Sequence, residues 1–107
     1  MLFTITRKLE QLPSYPMLRK LAEQRKVRVM GNEHAGSFSS SGGVEGNYES
    51  GKHDIRGTFA GHGVKGEFSL EVGEAAITIT EKPFWLPEMV LKQKITDGLN
   101  KFCDEMI

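Results

Sequence analysis

Residues 84–107 read FWLPEMVLKQKITDGLNKFCDEMI, and they contain the one long segment of the chain with a helical period. Pro87 suits the first turn of a helix, where its missing N–H is not needed. Beyond it, apolar residues recur at steps of three and four and predict one stripe along a helix: Leu91, Ile95, Leu99, Phe102 and Met106. Gly98 lies on this stripe, although glycine costs about 1 kcal/mol relative to alanine inside a helix. We therefore expect Gly98 to mark a close approach between this helix and a sheet.

The surface that buries this stripe is predicted to be a β-meander. From Val27 onward the period changes to two, and eleven of the twelve glycines lie between Gly31 and Gly73. Three pairs are predicted as two-residue hairpin turns: Gly51-Lys52, Gly61-His62 and Gly73-Glu74. These turns give the meander one apolar and one polar face. They also align three glycines across neighbouring strands: Gly46, Gly57 and Gly66.

The N-terminal part is predicted to add further strands and short helices. Leu2–Thr6 alternates as a strand, which is preferred although Leu2, Ile5 and Leu9 also fit a helical turn. Lys8–Leu12 is predicted as a brief helical turn that ends before a proline. A second helix is predicted from Ser14, its N-cap, to about Arg25. Its apolar face comprises Met17, Leu18, Leu21 and Ala22. Two more strands are predicted at Val27–Met30 and Gly36–Ser41.

Together these elements predict a two-layer α+β fold, in which the C-terminal helix packs on one face of a curved antiparallel meander. At 107 residues the chain is long enough for one modest core, so residues 1–107 are predicted to form a single domain. The predicted core comprises Phe59, Phe68, Leu70, Ile77, Ile79, Leu91, Ile95, Leu99 and Phe102.

Composition restricts the classes of function. The formal net charge is zero, although residues 1–31 hold seven Lys and Arg residues against two acids. A basic cluster surrounds the second helix, but without interleaved aromatic residues it predicts a solvated face and not a nucleic-acid site: Arg19, Lys20, Arg25, Lys26 and Arg28. A single cysteine, Cys103, allows no intramolecular disulfide, and no run resembles a signal peptide or membrane span. We expect a cytoplasmic protein.

No metal, cofactor or catalytic constellation is recognisable in the sequence. His53 and His62 flank the same predicted strand and should lie roughly 30 Å apart, so they cannot share an ion. The remaining enzyme hypothesis is an ester hydrolase in which Tyr48 and His53 point inward. A non-catalytic role is favoured, because a lone inward histidine is more often a hydrogen-bonded structural residue.

The corner between the last strand and the C-terminal helix is unusually apolar. Phe84, Trp85 and Leu86 are consecutive, and at most two of them can point inward. One interpretation is a hydrophobic staple that covers the core. The alternative is an exposed aromatic corner that contacts lipid, a partner or a granule surface.

The order of elements is similar to that of the helix-grip proteins, such as pollen allergens and START domains. In that superfamily a curved sheet wraps the last helix around an apolar cavity. A closer resemblance covers about residues 57–106, on the segments Gly63-Val-Lys-Gly-Glu-Phe-Ser-Leu-Glu-Val72, Ala76-Ile-Thr-Ile-Thr80 and Pro83-Phe-Trp-Leu-Pro87. These segments and the helix that follows resemble the small bacterial polyhydroxyalkanoic-acid-system proteins.

This resemblance implies a non-catalytic bacterial accessory protein that binds an apolar ligand or a hydrophobic surface, such as a polyester granule or lipid. The family offers no catalytic residues to transfer. The candidate contact residues are Phe84, Trp85, Leu86, Phe59, Phe68 and Tyr48. The alternative is a structural protein that forms a homodimer through an edge strand, for which Gly36–Ser41 is the predicted edge.

Overall fold

The computed structural model describes residues 2–105. Within this range the chain forms seven strands and two helices: β1 (Phe3–Leu9), α1 (Tyr15–Gln24), β2 (Val27–Gly31), β3 (Ala35–Ser40), β4 (Glu45–Ser50), β5 (Asp54–Gly61), β6 (Val64–Glu71), β7 (Gly73–Glu81) and α2 (Glu88–Glu105). The last predicted stripe residue, Met106, lies outside the described residues. Neither helix within residues 2–105 is long and apolar enough to cross a membrane.

All seven strands belong to one antiparallel sheet with the order β1-β7-β6-β5-β4-β3-β2. Strands β2 to β7 form a meander, and β1 joins it beside β7. The segment that contains α1 therefore connects the two opposite edges of the sheet. Helix α2 packs on the inner face, where Leu99 contacts the cluster around Leu70 and Leu91 contacts the cluster around Ile79. The predicted two-layer α+β fold is confirmed.

The N-terminal strand is longer than its sequence pattern indicates. The predicted helical turn at Lys8–Leu12 is wrong, because β1 continues to Leu9. Strand β7 supplies backbone partners along this whole length, from the pair Phe3 and Ile79 to the pair Leu9 and Gly73. The predicted second helix is confirmed, and the Ser14 hydroxyl accepts a hydrogen bond of 3.3 Å from the Met17 N–H.

The sequence predicts the faces of the strands correctly but misplaces each of the three hairpin turns. The turns lie one residue away from the predicted pairs, at residues 52–53, 62–63 and 72–73, so every register differs by two residues. His62 and Gly63 both have positive φ, 55° and 81°, as a type I′ turn requires. A shift of two residues returns each side chain to the same face.

Because of this shift, the three glycines pair with aromatic residues and not with one another. Gly57 lies opposite Phe68 on β6 and opposite Tyr48 on β4, while Gly66 lies opposite Phe59. A Cβ atom on Gly57 would lie 2.5 Å from the Phe68 ring, and one on Gly66 would lie 2.6 Å from the Phe59 ring. The rings therefore cover the glycines on the inner face of the sheet.

The core consists of two apolar clusters under α2. One contains Leu9, Ile55, Leu70, Ala75, Leu99 and Cys103, and the other contains Phe3, Ile79 and Leu91. Of the predicted core residues, four are buried: Leu70, Ile79, Leu91 and Leu99. The other five are half-buried against these clusters: Phe59, Phe68, Ile77, Ile95 and Phe102. The predicted core residues thus lie in the observed core or pack against it, although five of them remain partly exposed to solvent.

Two local expectations are wrong. Gly98 is exposed, and an added Cβ atom would meet nothing within 4 Å, so it does not mark a close approach of α2 to the sheet. The serine-rich strand β3 is not an edge, because it pairs with β2 on one side and β4 on the other. The sheet edge in this region is β2.

Candidate functional site

An apolar cavity of about 640 Å³ lies between the inner face of the sheet, α1 and the C-terminal half of α2. Val29 on β2 and Ile77 on β7 both line it, so the sheet curves around the cavity. Its apolar lining also includes Leu18, Phe68, Leu70, Leu99 and Phe102. Gly98 lies at its edge, which explains the open space beside that residue.

Helix α1 presents only part of its predicted apolar face to the cavity, since Leu18 and Ala22 line it and Met17 and Leu21 do not. Its cavity-lining residues are spaced at one-turn intervals: Tyr15, Leu18, Arg19 and Ala22. Met17, which the sequence places on the apolar face, is 41% exposed. Sequence reasoning grouped Arg19 with the solvated basic residues and overlooked Tyr15. The available signal was their i,i+4 spacing around Leu18.

Helix α1 and strand β4 form one polar cluster of the cavity lining. An Arg19 Nη1 donates a hydrogen bond of 2.9 Å to the Tyr15 hydroxyl, and the Tyr48 hydroxyl donates one of 2.6 Å to the Asn32 carbonyl. Tyr48 occupies space left by Gly36 across the β3–β4 pair, where a Cβ atom would lie 2.5 Å from the tyrosine oxygen. Burial raises the pKa of the Tyr48 phenol, and hydrogen bonding with Tyr15 raises it further. Tyr48 is therefore neutral at physiological pH.

Polar contacts link the C-terminal end of α2 to β1 and to the end of α1. Arg7 on β1 hydrogen-bonds to Asn100 and lies 3.3 Å from the Asp104 carboxylate. Arg25, at the end of α1, forms an ion pair with Glu105. The predicted basic cluster is thus divided, since Arg25 links the two helices and Arg19 lines the cavity.

The corner between β7 and α2 is exposed at its two aromatic residues. Phe84 is 96% exposed and Trp85 is 68% exposed, whereas Leu86 packs on the cluster that contains Ile79. The staple interpretation is therefore wrong for both aromatic side chains and holds only for Leu86. The corner is held in shape by Lys82, whose ammonium donates a 2.8 Å hydrogen bond to the Leu86 carbonyl.

The histidine that the hydrolase hypothesis requires is not inside the protein. His53 is an exposed residue of the β4–β5 turn and does not line the cavity, so the predicted inward pair with Tyr48 is wrong. The turn is displaced from its predicted position, and this displacement removes His53 from the strand. His62 is an exposed turn residue, as expected, and its Nε2 lies 2.6 Å from the Gly42 carbonyl oxygen.

The predicted contact residues fall into separate places. Tyr48 and Phe68 line the cavity, while Phe59 belongs to the second core cluster with its ring over Gly66. Phe84 and Trp85 lie before the start of α2, whereas the cavity begins at Gly98. Ten residues of helix separate Glu88 from Gly98, or about 15 Å. The cavity and the aromatic corner are therefore two distinct candidate sites.

Comparison of the chain with protein families, with curated proteins and with solved structures finds no match.

Proposed function

We propose that this protein is a non-catalytic accessory protein that binds an apolar small molecule in the cavity beneath α1 and α2. The observation that carries the proposal is the cavity itself, whose volume of about 640 Å³ lies within the usual range of roughly 300–1,000 Å³ for small-molecule sites. Phe68, Phe102 and Leu18 are only half-buried around it. A ligand that covered them would remove apolar surface from water, at about 25 cal/mol per Å².

The polar groups at the cavity favour binding over catalysis. Ser50 and His34 both line its rim, but within residues 2–105 no hydrogen bond joins the Ser50 hydroxyl to the His34 ring. A nucleophile needs a base within hydrogen-bonding reach. This arrangement of polar groups therefore supports a carrier or sensor of an apolar molecule better than it supports an ester hydrolase.

The test is to fill part of the cavity with a side chain at a position where the added atoms meet no neighbouring residue. A leucine at Gly98 would enter the open space at the edge of the cavity, and it should raise helix stability by about 1 kcal/mol. We expect the wild type to bind a neutral apolar dye such as Nile red saturably, with dissociation constants measured by fluorescence titration. Gly98→Leu should weaken this binding at least about tenfold.

Gln93→Leu is the matched control, since it adds leucine to an exposed position of the same helix. It should bind the dye as the wild type does. Absence of saturable binding to the wild type, or equal binding by Gly98→Leu, would contradict the proposed function.

The aromatic corner supports a second candidate function, attachment to an apolar surface. Four large apolar side chains within seven residues are exposed: Phe84, Trp85, Met89 and Val90. Such a group is typical of a surface that contacts lipid or a partner. The resemblance to polyhydroxyalkanoic-acid-system proteins is the reason to include polyester particles beside lipid vesicles.

Trp85 reports on this corner directly because it is the only tryptophan of the chain. Its emission should resemble that of solvated indole in the free protein and shift to shorter wavelength when vesicles or polyester particles are added. Burying an aromatic side chain stabilises by about 1.5–3 kcal/mol, so Trp85→Ala should weaken cosedimentation about tenfold to a hundredfold. An emission that neither material shifts would exclude this second function.

A further inference from the structure

One polar cluster of the cavity lining consists of Tyr15, Arg19 and Tyr48, and the other polar side chains of the lining are those of Glu33, His34, Ser50 and Asp54. Tyr15 and Arg19 lie one turn apart on α1, and Tyr48 reaches the same place from β4. The Arg19 guanidinium lines the cavity and remains open to solvent. A ligand in the cavity can therefore reach it without breaking an ion pair.

Arg19 has no anionic partner among residues 2–105. No carboxylate oxygen in this range lies within 4.0 Å of its guanidinium, including that of Glu23 one turn along the helix. Two other acids line the cavity, Asp54 and Glu33. An Asp54 carboxylate oxygen lies 2.6 Å from the Arg56 Nε, and a Glu33 carboxylate oxygen lies 3.5 Å from the His34 Nε2. Arg19 is thus an arginine of the lining without a carboxylate within 4.0 Å in the described range, although Glu23 interacts with it at longer range.

Most N–H donors of Arg19 have no hydrogen-bond partner in the described part of the chain. A guanidinium carries five N–H groups, and the one bonded to Tyr15 is the only one with a partner in the described part of the chain. The Tyr15 oxygen accepts that bond and also hydrogen-bonds with Tyr48, whose own proton goes to the Asn32 carbonyl. The four remaining N–H groups of Arg19 are therefore the donors that an anionic group can reach.

We propose that the ligand is an amphiphile with a carboxylate head group, which the Arg19 guanidinium binds while its apolar chain lies along Phe68, Leu70 and Leu99. This inference rests on the proposed ligand-binding function. Arginine matches a carboxylate with paired N–H donors. One guanidinium balances one negative charge, so this site suits a monoanion better than a doubly charged phosphate.

The test compares head groups on one alkyl chain by calorimetric titration of the full chain. Dodecanoate, dodecanol and dodecyl phosphate are each titrated at constant ionic strength, below their micellar concentrations. We expect the wild type to bind dodecanoate about tenfold to a hundredfold more tightly than dodecanol, as is usual for hydrogen bonds to a charged group. Arg19→Gln should lose this preference and leave dodecanol binding unchanged.

Lys20→Gln is the matched control, because it removes the same charge from an exposed neighbour on α1. It should behave as the wild type. Tyr15→Phe is the second variant: it removes the acceptor that orients Arg19, and it should reduce dodecanoate binding about threefold to tenfold with no effect on dodecanol. It keeps the inference testable if Arg19→Gln fails to fold.

The outcomes separate the two proposals. Equal binding of dodecanoate and dodecanol by the wild type would overturn the carboxylate inference and leave the apolar cavity function standing. Tighter binding of dodecyl phosphate than of dodecanoate would overturn the choice of a monoanion. Failure of the wild type to bind any of the three would reject the proposed function together with this inference.

Discussion

Replacing Ile79 with alanine is expected to lower the free energy of unfolding by about 2–5 kcal/mol. Ile79 has no solvent exposure, and it packs with Phe3 and Leu91 where β1, β7 and α2 meet. Removing its side-chain carbons would leave a cavity. The neighbouring strands β1 and β6 cannot fill it without breaking their backbone hydrogen bonds to β7. Domains of this size have a total stability of roughly 5–15 kcal/mol, so this one change would remove a large part of it.

Urea denaturation followed by far-ultraviolet circular dichroism would measure the loss. Val72→Ala is the control, because Val72 is 65% exposed in the β6–β7 turn and should change stability by less than about 0.5 kcal/mol. If the two variants had equal midpoints, the cluster around Ile79 would not be the core of the protein.

Gly57→Ala should destabilise the protein by about 1–3 kcal/mol through overpacking. Its Cβ atom would fall against the Asn47 carbonyl oxygen of β4 and 2.5 Å from the Phe68 ring. A backbone carbonyl within a sheet cannot move without loss of strand pairing, and the ring can move only into the cavity. The clash therefore outweighs the roughly 0.5–1 kcal/mol that alanine usually gains over glycine inside a strand.

Gly42→Ala provides the comparison for this variant. A Cβ atom at Gly42 would meet only the Ser40 hydroxyl at 3.6 Å, which is an ordinary contact. Thermal unfolding should show Gly42→Ala at or slightly above the wild-type midpoint and Gly57→Ala well below it. Equal midpoints for the two alanine variants would mean that Phe68 does not lie over Gly57.

The sequence predicts the faces of the elements well because those faces have a period. Steps of three and four in α2 place Leu91 and Leu99 in the core, and alternation in β6 and β7 does the same for Leu70 and Ile79. Register is a different matter, since a shift of two residues preserves every face. Only turn chemistry distinguishes the alternatives, as at His62-Gly63, where both residues have positive φ.

The candidate site was only partly predictable for the same physical reasons. Tyr48 and Phe68 were found because they share the apolar face of the meander. Arg19 was missed because a charged residue on a short helix is usually solvated, and only the tertiary position of α1 brings it over the sheet. The sequence predicts an inward His53 because the predicted turn lies one residue away from the observed one, and it predicts close packing at Gly98, where a cavity lies instead.

The pairing of β1 with β7 also has a consequence for the order in which the protein folds. Every other pair of neighbouring strands is joined by a short hairpin and can form as soon as its second strand is synthesised. Strand β1 is made before all of them, but its partner is the last strand, and even its nearest pair joins Leu9 to Gly73. Contacts between such distant residues form slowly. Phe3 and Leu9, although buried in the finished fold, must therefore remain without their partners until nearly the whole sheet has been synthesised.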